Sequence, residues 1–173
     1  LINSVTGEAE RMSAVIPLAA QYKAKIIALC MDDNGIPNGP EERFAIGEKL
    51  VAALTAAGIP QSDIYLDPLV QPVATGDRAA KDVLDTVAAL KKAFPDAHCI
   101  CGLSNVSYGL PNRKWLNRAF LVQTMAMGMD AYILNPTDRA MMALLYSSNA
   151  LLGNDPYCGE LLTAHRKGLF EEI

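Results

Sequence analysis

The sequence predicts an α/β protein in which parallel strands alternate with helices. Apolar, strand-like runs and amphipathic helical patterns follow each other five times along the 173 residues, with no low-complexity linker between them. Such alternation requires parallel strands joined by right-handed crossovers. Hydrophobic residues make up 51% of the chain and charged residues 20%, which is typical of a globular enzyme with one substantial core.

Each strand–helix unit has a recognisable local pattern. The strands are short apolar runs at residues 1–2, 25–31, 64–66, 99–101 and 131–134. The helices carry apolar residues three and four positions apart, over residues 8–22, 40–57, 77–94, 115–127 and 138–152. Gly58 is expected to end the second helix and Asp77 to cap the third, and a tail runs from Tyr157.

This alternation fits either a doubly wound open sheet or a closed barrel. No Gly-x-Gly-x-x-Gly or Gly-x-x-x-x-Gly-Lys motif follows a strand, so the usual marker of nucleotide-binding open sheets is absent. Polar residues instead follow nearly every strand, as they do at the catalytic mouth of a barrel: Asn3-Ser4, Asp32-Asp33-Asn34, Asp67, Ser104-Asn105 and Asn135. We therefore predict a TIM (β/α)₈ barrel, of which residues 1–173 hold the last five βα units. A self-sufficient five-stranded α/β domain is the alternative.

Charge and hydropathy exclude several classes of protein. The net charge is −4 and the pI about 5.1, and no cluster of Lys and Arg offers a surface for phosphates, so we expect no nucleic-acid partner. No apolar stretch reaches the roughly 18 residues of a membrane span, and no signal peptide is visible, which favours a cytoplasmic protein without a membrane partner. Four cysteines without a Cys-x-x-Cys pair and only two histidines predict free thiols and no metal site.

The loop after the fourth strand is the most informative segment. Gly102-Leu103-Ser104-Asn105-Val106-Ser107 follows an apolar run and leads into the helix that begins with Trp115. Gly102 allows a flat ligand to approach the backbone, while Ser104 and Asn105 offer hydrogen-bonding groups without charge. Small polar residues at this edge of a barrel indicate a binding or catalytic site.

Most of the chain, from Leu1 to about Cys158, resembles the pterin-binding methyltransferases that exchange a methyl group between methyltetrahydrofolate and a corrinoid protein. The folate domain of cobalamin-dependent methionine synthase is a near relative of that family. The resemblance rests on the Gly102 loop and on Ile2-Asn3-Ser4, Gly35-Ile36-Pro37, Tyr65-Leu66-Asp67-Pro68-Leu69, Leu116-Asn117-Arg118-Ala119-Phe120-Leu121 and Gly128-Met129-Asp130-Ala131. It implies that residues 1–173 are the C-terminal part of a single pterin-binding barrel domain.

Asp67 and Asn3 are the residues that the resemblance directs at the pterin ring. A carboxylate at Asp67 can accept two parallel hydrogen bonds from the amine and ring N–H of the amino-pyrimidinone edge. Asn3, which we expect at the end of the first strand, is implied to donate or accept a further bond to the ring. Each residue could instead serve only a turn, Asp67 by capping its loop and Asn3 through an Asx-turn.

Asn105 is the expected catalytic residue. The N5 nitrogen is a poor leaving group, so methyl transfer needs a proton or a strong hydrogen bond delivered to N5 as the methyl departs. The Asn105 amide can donate that bond, but water or a carboxylate must supply the proton. Gly102 and Ser104 are expected to bind substrate in the same loop, and the resemblance implies that Arg113 contacts the substrate periphery.

The leading reading is therefore a methyltransferase acting on tetrahydrofolate or methyltetrahydrofolate. The corrinoid (cobalamin) would arrive on a partner protein, because no Asp-x-His-x-x-Gly motif occurs here; a homodimer is the expected assembly. Tetrahydromethanopterin could replace folate. A dihydropteroate synthase would want a Ser-x-Arg near the last strand, where the chain has Asn135-Pro136-Thr137, and a non-catalytic pterin-binding or dimerisation module is the other alternative.

Overall fold

A computed structural model of the chain describes residues 1–170. The strands are β1 (Ile2–Thr6), β2 (Ile26–Leu29), β3 (Ile64–Asp67), β4 (His98–Gly102) and β5 (Ala131–Ile133). The helices are α1 (Ala9–Gln21), α2 (Pro40–Ala56), α3 (Ala79–Ala93), α4 (Arg113–Ala126), α5 (Arg139–Leu151) and α6 (Gly159–Arg166). Short 3₁₀ turns lie between them at Gln61–Asp63, Val73–Thr75, Leu103–Ser107 and Pro156–Cys158.

The order of the strands distinguishes a barrel from a doubly wound sheet. All neighbouring strands pair in parallel, in the order β1-β2-β3-β4-β5. Right-handed crossovers between strands taken in this order place every connecting helix on the same face of the sheet. A doubly wound sheet reverses direction and has helices on both faces. The fold is therefore five βα units of a TIM barrel, which confirms the predicted class.

The two faces of the sheet differ accordingly. The face that packs against the helices holds the apolar core, in which Ile26, Ala28, Ile64 and Leu66 are fully buried. Alternate residues point to the opposite face, which corresponds to the inside of a barrel. Along the register this inner face carries Asn3, Ile27 and Tyr65 in one row and Thr6, Leu29 and Asp67 two residues further along.

Several predicted boundaries were wrong. The first strand continues to Thr6 instead of ending at Ile2, and its register shifts between Asn3 and Val5 because Ser4 forms a bulge. Helix α3 starts at Ala79, and the Asp77 side chain does not cap it, because a turn closed from Ala79 N–H to the Gly76 carbonyl comes first.

The segment predicted as a tail from Tyr157 contains α6. The buried Asp155 carboxylate caps this helix by accepting hydrogen bonds from the backbone N–H groups of Glu160, at 2.9 Å, and Leu161, at 3.0 Å. All four cysteines are free thiols, as predicted. Three of them are buried, and Cys158 is exposed.

Candidate active site

Asp67 ends β3 and turns the chain out of the sheet. Its Oδ1 accepts a hydrogen bond of 2.8 Å from the Leu69 backbone N–H, which fixes the direction of the carboxylate at the Pro68 turn. The other oxygen, Oδ2, has no hydrogen-bond partner among residues 1–170. Burial raises the pKa of Asp67 to about 6, and the bond from Leu69 offsets only part of that rise. A partly buried carboxylate with unused acceptor capacity is suited to a ligand that presents N–H groups.

The loop after β4 forms the next part of the site. Leu103–Ser107 makes a 3₁₀ turn whose apolar side chains, Leu103 and Val106, are buried. The side chains of Ser104 and Asn105 are exposed and make no hydrogen bond within residues 1–170. The turn therefore anchors itself through its apolar residues and leaves the two polar side chains available to a ligand.

Gly102 places the Asn105 amide. A Cβ atom added at Gly102 would lie 3.2 Å from Asn105 Nδ2, so a larger residue would push the amide away. Gly102 pairs with Ile133 of β5 on the inner face, and 54% of the Ile133 side chain is exposed. Asn105 thus has an open apolar side chain beside it, as a flat ring requires.

Arg113 holds this loop. Its Nε donates to Ser107 Oγ at 3.0 Å and its Nη2 donates to the Ser104 carbonyl at 2.6 Å. Ser107 is fully buried and donates from Oγ to Asn117 Oδ1 at 2.7 Å. The guanidinium also lies 5.9 Å from the centre of the Tyr108 ring. The Arg113 side chain is thus engaged by the loop itself.

Asn3 lies on the inner face, but lower than predicted. It is exposed and aligns with Ile27 and Tyr65, two rows before Asp67. Ser4 follows at the bulge, where its carbonyl accepts two hydrogen bonds from the Arg11 guanidinium, at 3.0 and 3.2 Å. Asn3 therefore lies inside the sheet, below the row that carries Asp67.

The structure brings most of the predicted residues to one region. Asp67 and Gly102 lie on the inner face at the carboxyl ends of neighbouring strands, with Ser104 and Asn105 just beyond. Sequence reasoning missed Ser107 and Ile133. The alternation in Ala131-Tyr132-Ile133 could have indicated Ile133, whereas the role of Ser107 depends on contacts with α4 that no local pattern reveals.

Two further searches concern the described residues, 1–170. No helix in this range is both long and apolar enough to cross a membrane. No group of three or more His, Cys, Asp or Glu side chains there could hold a metal ion.

Comparison with known proteins agrees with this geometry. Residues 1–135 match the family described as "Pterin binding enzyme". The chain is 34% identical over 170 residues to a methylcorrinoid:tetrahydrofolate methyltransferase of Eubacterium limosum, covering 97% of this chain and 63% of that protein. It is 33% identical over 146 residues to the methionine synthase of Mycobacterium tuberculosis, and 33% over 147 residues to that of Mycobacterium leprae. These two matches cover 78% of this chain and 12% of each synthase. The chain belongs to the family of pterin-binding enzymes.

Proposed function

We propose that the protein transfers a methyl group between N5 of tetrahydrofolate and the cobalt of a corrinoid carried by a partner protein. The observation that carries this proposal is the pairing of Asp67, a partly buried carboxylate with one oxygen unused, with the exposed Asn105 amide on the neighbouring loop. The name of the Eubacterium limosum relative supports the choice of reaction.

In this proposal Asp67 orients the pterin. Its two oxygens accept hydrogen bonds from the amino group and ring N–H of the pyrimidinone edge, since Oδ1 keeps a lone pair beside the bond from Leu69. That edge and N5 lie on opposite rings of the pterin, so Asp67 binds and aligns the substrate and does not protonate N5. Ile133 supplies an apolar contact to the ring, and Asn3 a polar contact lower on the inner face.

Asn105 acts at the other end of the pterin. Its amide donates a hydrogen bond to N5 that strengthens as electron density collects on the nitrogen during methyl departure. Gly102 leaves the space that this amide needs. Ser104 offers its exposed hydroxyl to the substrate, and Arg113 contacts the substrate periphery while it holds the loop. The N5 proton comes from solvent, because an amide cannot supply one at neutral pH.

The corrinoid supplies the metal centre that accepts or donates the methyl group. A separate corrinoid protein, a homodimer and a cytoplasmic location belong to the same proposal and rest on the family resemblance. Analytical ultracentrifugation would test the homodimer, for which a sedimenting species of twice the chain mass is expected.

A methyl-transfer assay tests the reaction. The full-length protein is mixed with methyltetrahydrofolate and a reduced corrinoid protein, and methylation is followed through the corrinoid absorbance. We expect a spectral change that depends on both partners, and tetrahydrofolate as product. Tight binding of tetrahydropterin without any transfer would contradict the proposal and support a non-catalytic binding module.

A further inference from the structure

A groove leads outward from the candidate active site between the loops that follow β4 and β5. It consists of two adjoining cavities of about 360 and 470 Å³ that share Lys114, Asn135 and Asp138 in their walls. The inner cavity reaches Ser104, beside the Asn105 amide, and the outer one reaches Trp115 at the start of α4. The groove is therefore continuous with the site proposed for the pterin.

The walls of this groove are positively charged. Three cations, Lys114, Arg118 and Arg139, face a single carboxylate, that of Asp138. Arg118 Nη2 donates to Asp138 Oδ1 at 2.7 Å, so this pair is internally balanced. Lys114 is exposed and makes no ion pair within residues 1–170. Excess positive charge in one groove of a chain whose net charge is −4 favours an anionic ligand there.

The groove also has apolar and aromatic surface. Leu103, Ile133, Leu134 and Met141 line the inner cavity. Trp115 lies at the outer end with 71% of its surface exposed, and the Arg118 guanidinium is 5.3 Å from its ring centre. An apolar floor near the site and cations further out suit a ligand with an aromatic ring followed by carboxylates.

We propose that this groove binds the p-aminobenzoyl-glutamate tail of the folate, and that the protein prefers folates carrying more than one glutamate. The inference rests on the proposed function for the direction in which the tail leaves the pterin. The benzoyl ring lies on the apolar floor, and the glutamate carboxylates reach Lys114. Each additional glutamate adds negative charge beside a cation that has no carboxylate of its own within the described residues.

The test compares four probes by titration calorimetry on the full-length protein at low salt. They are a tetrahydropterin without a tail, tetrahydrofolate monoglutamate, tetrahydrofolate triglutamate, and p-aminobenzoyl-triglutamate alone. Lys114→Gln removes the proposed contact. Lys92→Gln is the matched control, because Lys92 is an exposed residue in the last turn of α3, which leads to the amino end of β4.

We expect the triglutamate to bind about two- to fivefold more tightly than the monoglutamate, the range of an exposed ion pair. Lys114→Gln should abolish that preference without changing the affinity for the tail-less pterin, and Lys92→Gln should keep it. Because Trp115 is the only tryptophan, its fluorescence should change when p-aminobenzoyl-triglutamate binds.

Two results would overturn the inference. One is equal affinity of the wild type for monoglutamate and triglutamate; the other is an equal loss of affinity for tailed and tail-less pterins in Lys114→Gln. Failure of the proposed function looks different: neither pterin nor tetrahydrofolate would bind, while p-aminobenzoyl-triglutamate alone would still change the Trp115 fluorescence and support the groove.

Discussion

Replacing Asp67 by Asn should stabilise the fold and weaken the binding of pterin. Burial raises the pKa of Asp67 from 3.8 to about 6, which means that the folded state disfavours the charged carboxylate. A rise of roughly two units corresponds to about 3 kcal/mol at neutral pH. The carboxyl group is only partly buried and Asn keeps the acceptor for Leu69, so we expect a gain of about 1–2 kcal/mol in the unfolding free energy.

The gain should depend on pH in a defined direction. An acid whose pKa is higher in the folded state binds more protons folded than unfolded, so its contribution to stability is present below about pH 4 and is lost as the pH rises through about 6. Asp67→Asn should therefore match the wild type near pH 4 and exceed it at pH 7.5. Urea unfolding at both pH values measures this difference.

Pterin affinity should change in the opposite direction. The Asn amide places a donor against a donor on the pterin edge, and a mismatch of this kind costs roughly 1–3 kcal/mol, or about tenfold or more in affinity. Asp63→Asn is the control, since Asp63 precedes the amino end of β3 and lies 3.9 Å from Lys25. Its pterin affinity should be that of the wild type. Loss of stability in Asp67→Asn at pH 7.5, or unchanged pterin affinity, would refute the reasoning.

Three further substitutions test the loop after β4. Asn105→Ala should lower kcat by about 10²–10³, because one preorganised donor is lost, whereas Asn149→Ala on α5 should leave kcat unchanged; a kcat within threefold of the wild type would reject Asn105 as the assisting group. Gly102→Ala should displace the Asn105 amide and lower kcat/KM, since its Cβ would lie 3.2 Å from Nδ2. Gly76→Ala, where an added Cβ meets nothing within 4 Å, should not. Ser107→Ala leaves partners on α4 unsatisfied and should lower the unfolding free energy by about 1–3 kcal/mol, measured by urea unfolding; an unchanged midpoint would contradict that role.

The sequence predicts those parts of the fold that depend on local pattern. The five βα units and the turn at Asp67-Pro68 follow from hydrophobic periodicity and from the restriction that Pro places on the residue before it. The bulge at Ser4 was missed because one extra residue in a short strand leaves no periodic trace. The consequence is that Asn3 lies two rows lower than its position in the sequence implied.

Features that depend on tertiary contacts were less predictable. Helix α6 has eight residues, too few for a clear periodicity, and its capping carboxylate, Asp155, lies outside the helix. The Arg113 guanidinium was assigned to the substrate, yet its nearest partners are Ser107 and the Ser104 carbonyl, which approach only when the loop folds onto α4. Positions at strand ends were thus easier to predict than the contacts that hold a loop.

The most direct test of the central claim is a single-turnover comparison of Asp67→Asn and Asn105→Ala with a corrinoid protein. The account assigns binding to Asp67 and assistance of methyl departure to Asn105. At saturating methyltetrahydrofolate, Asp67→Asn should therefore recover most of the wild-type rate of corrinoid methylation, while Asn105→Ala should remain about 10²–10³ slower. Recovery of the wild-type rate by Asn105→Ala at saturation would contradict the account.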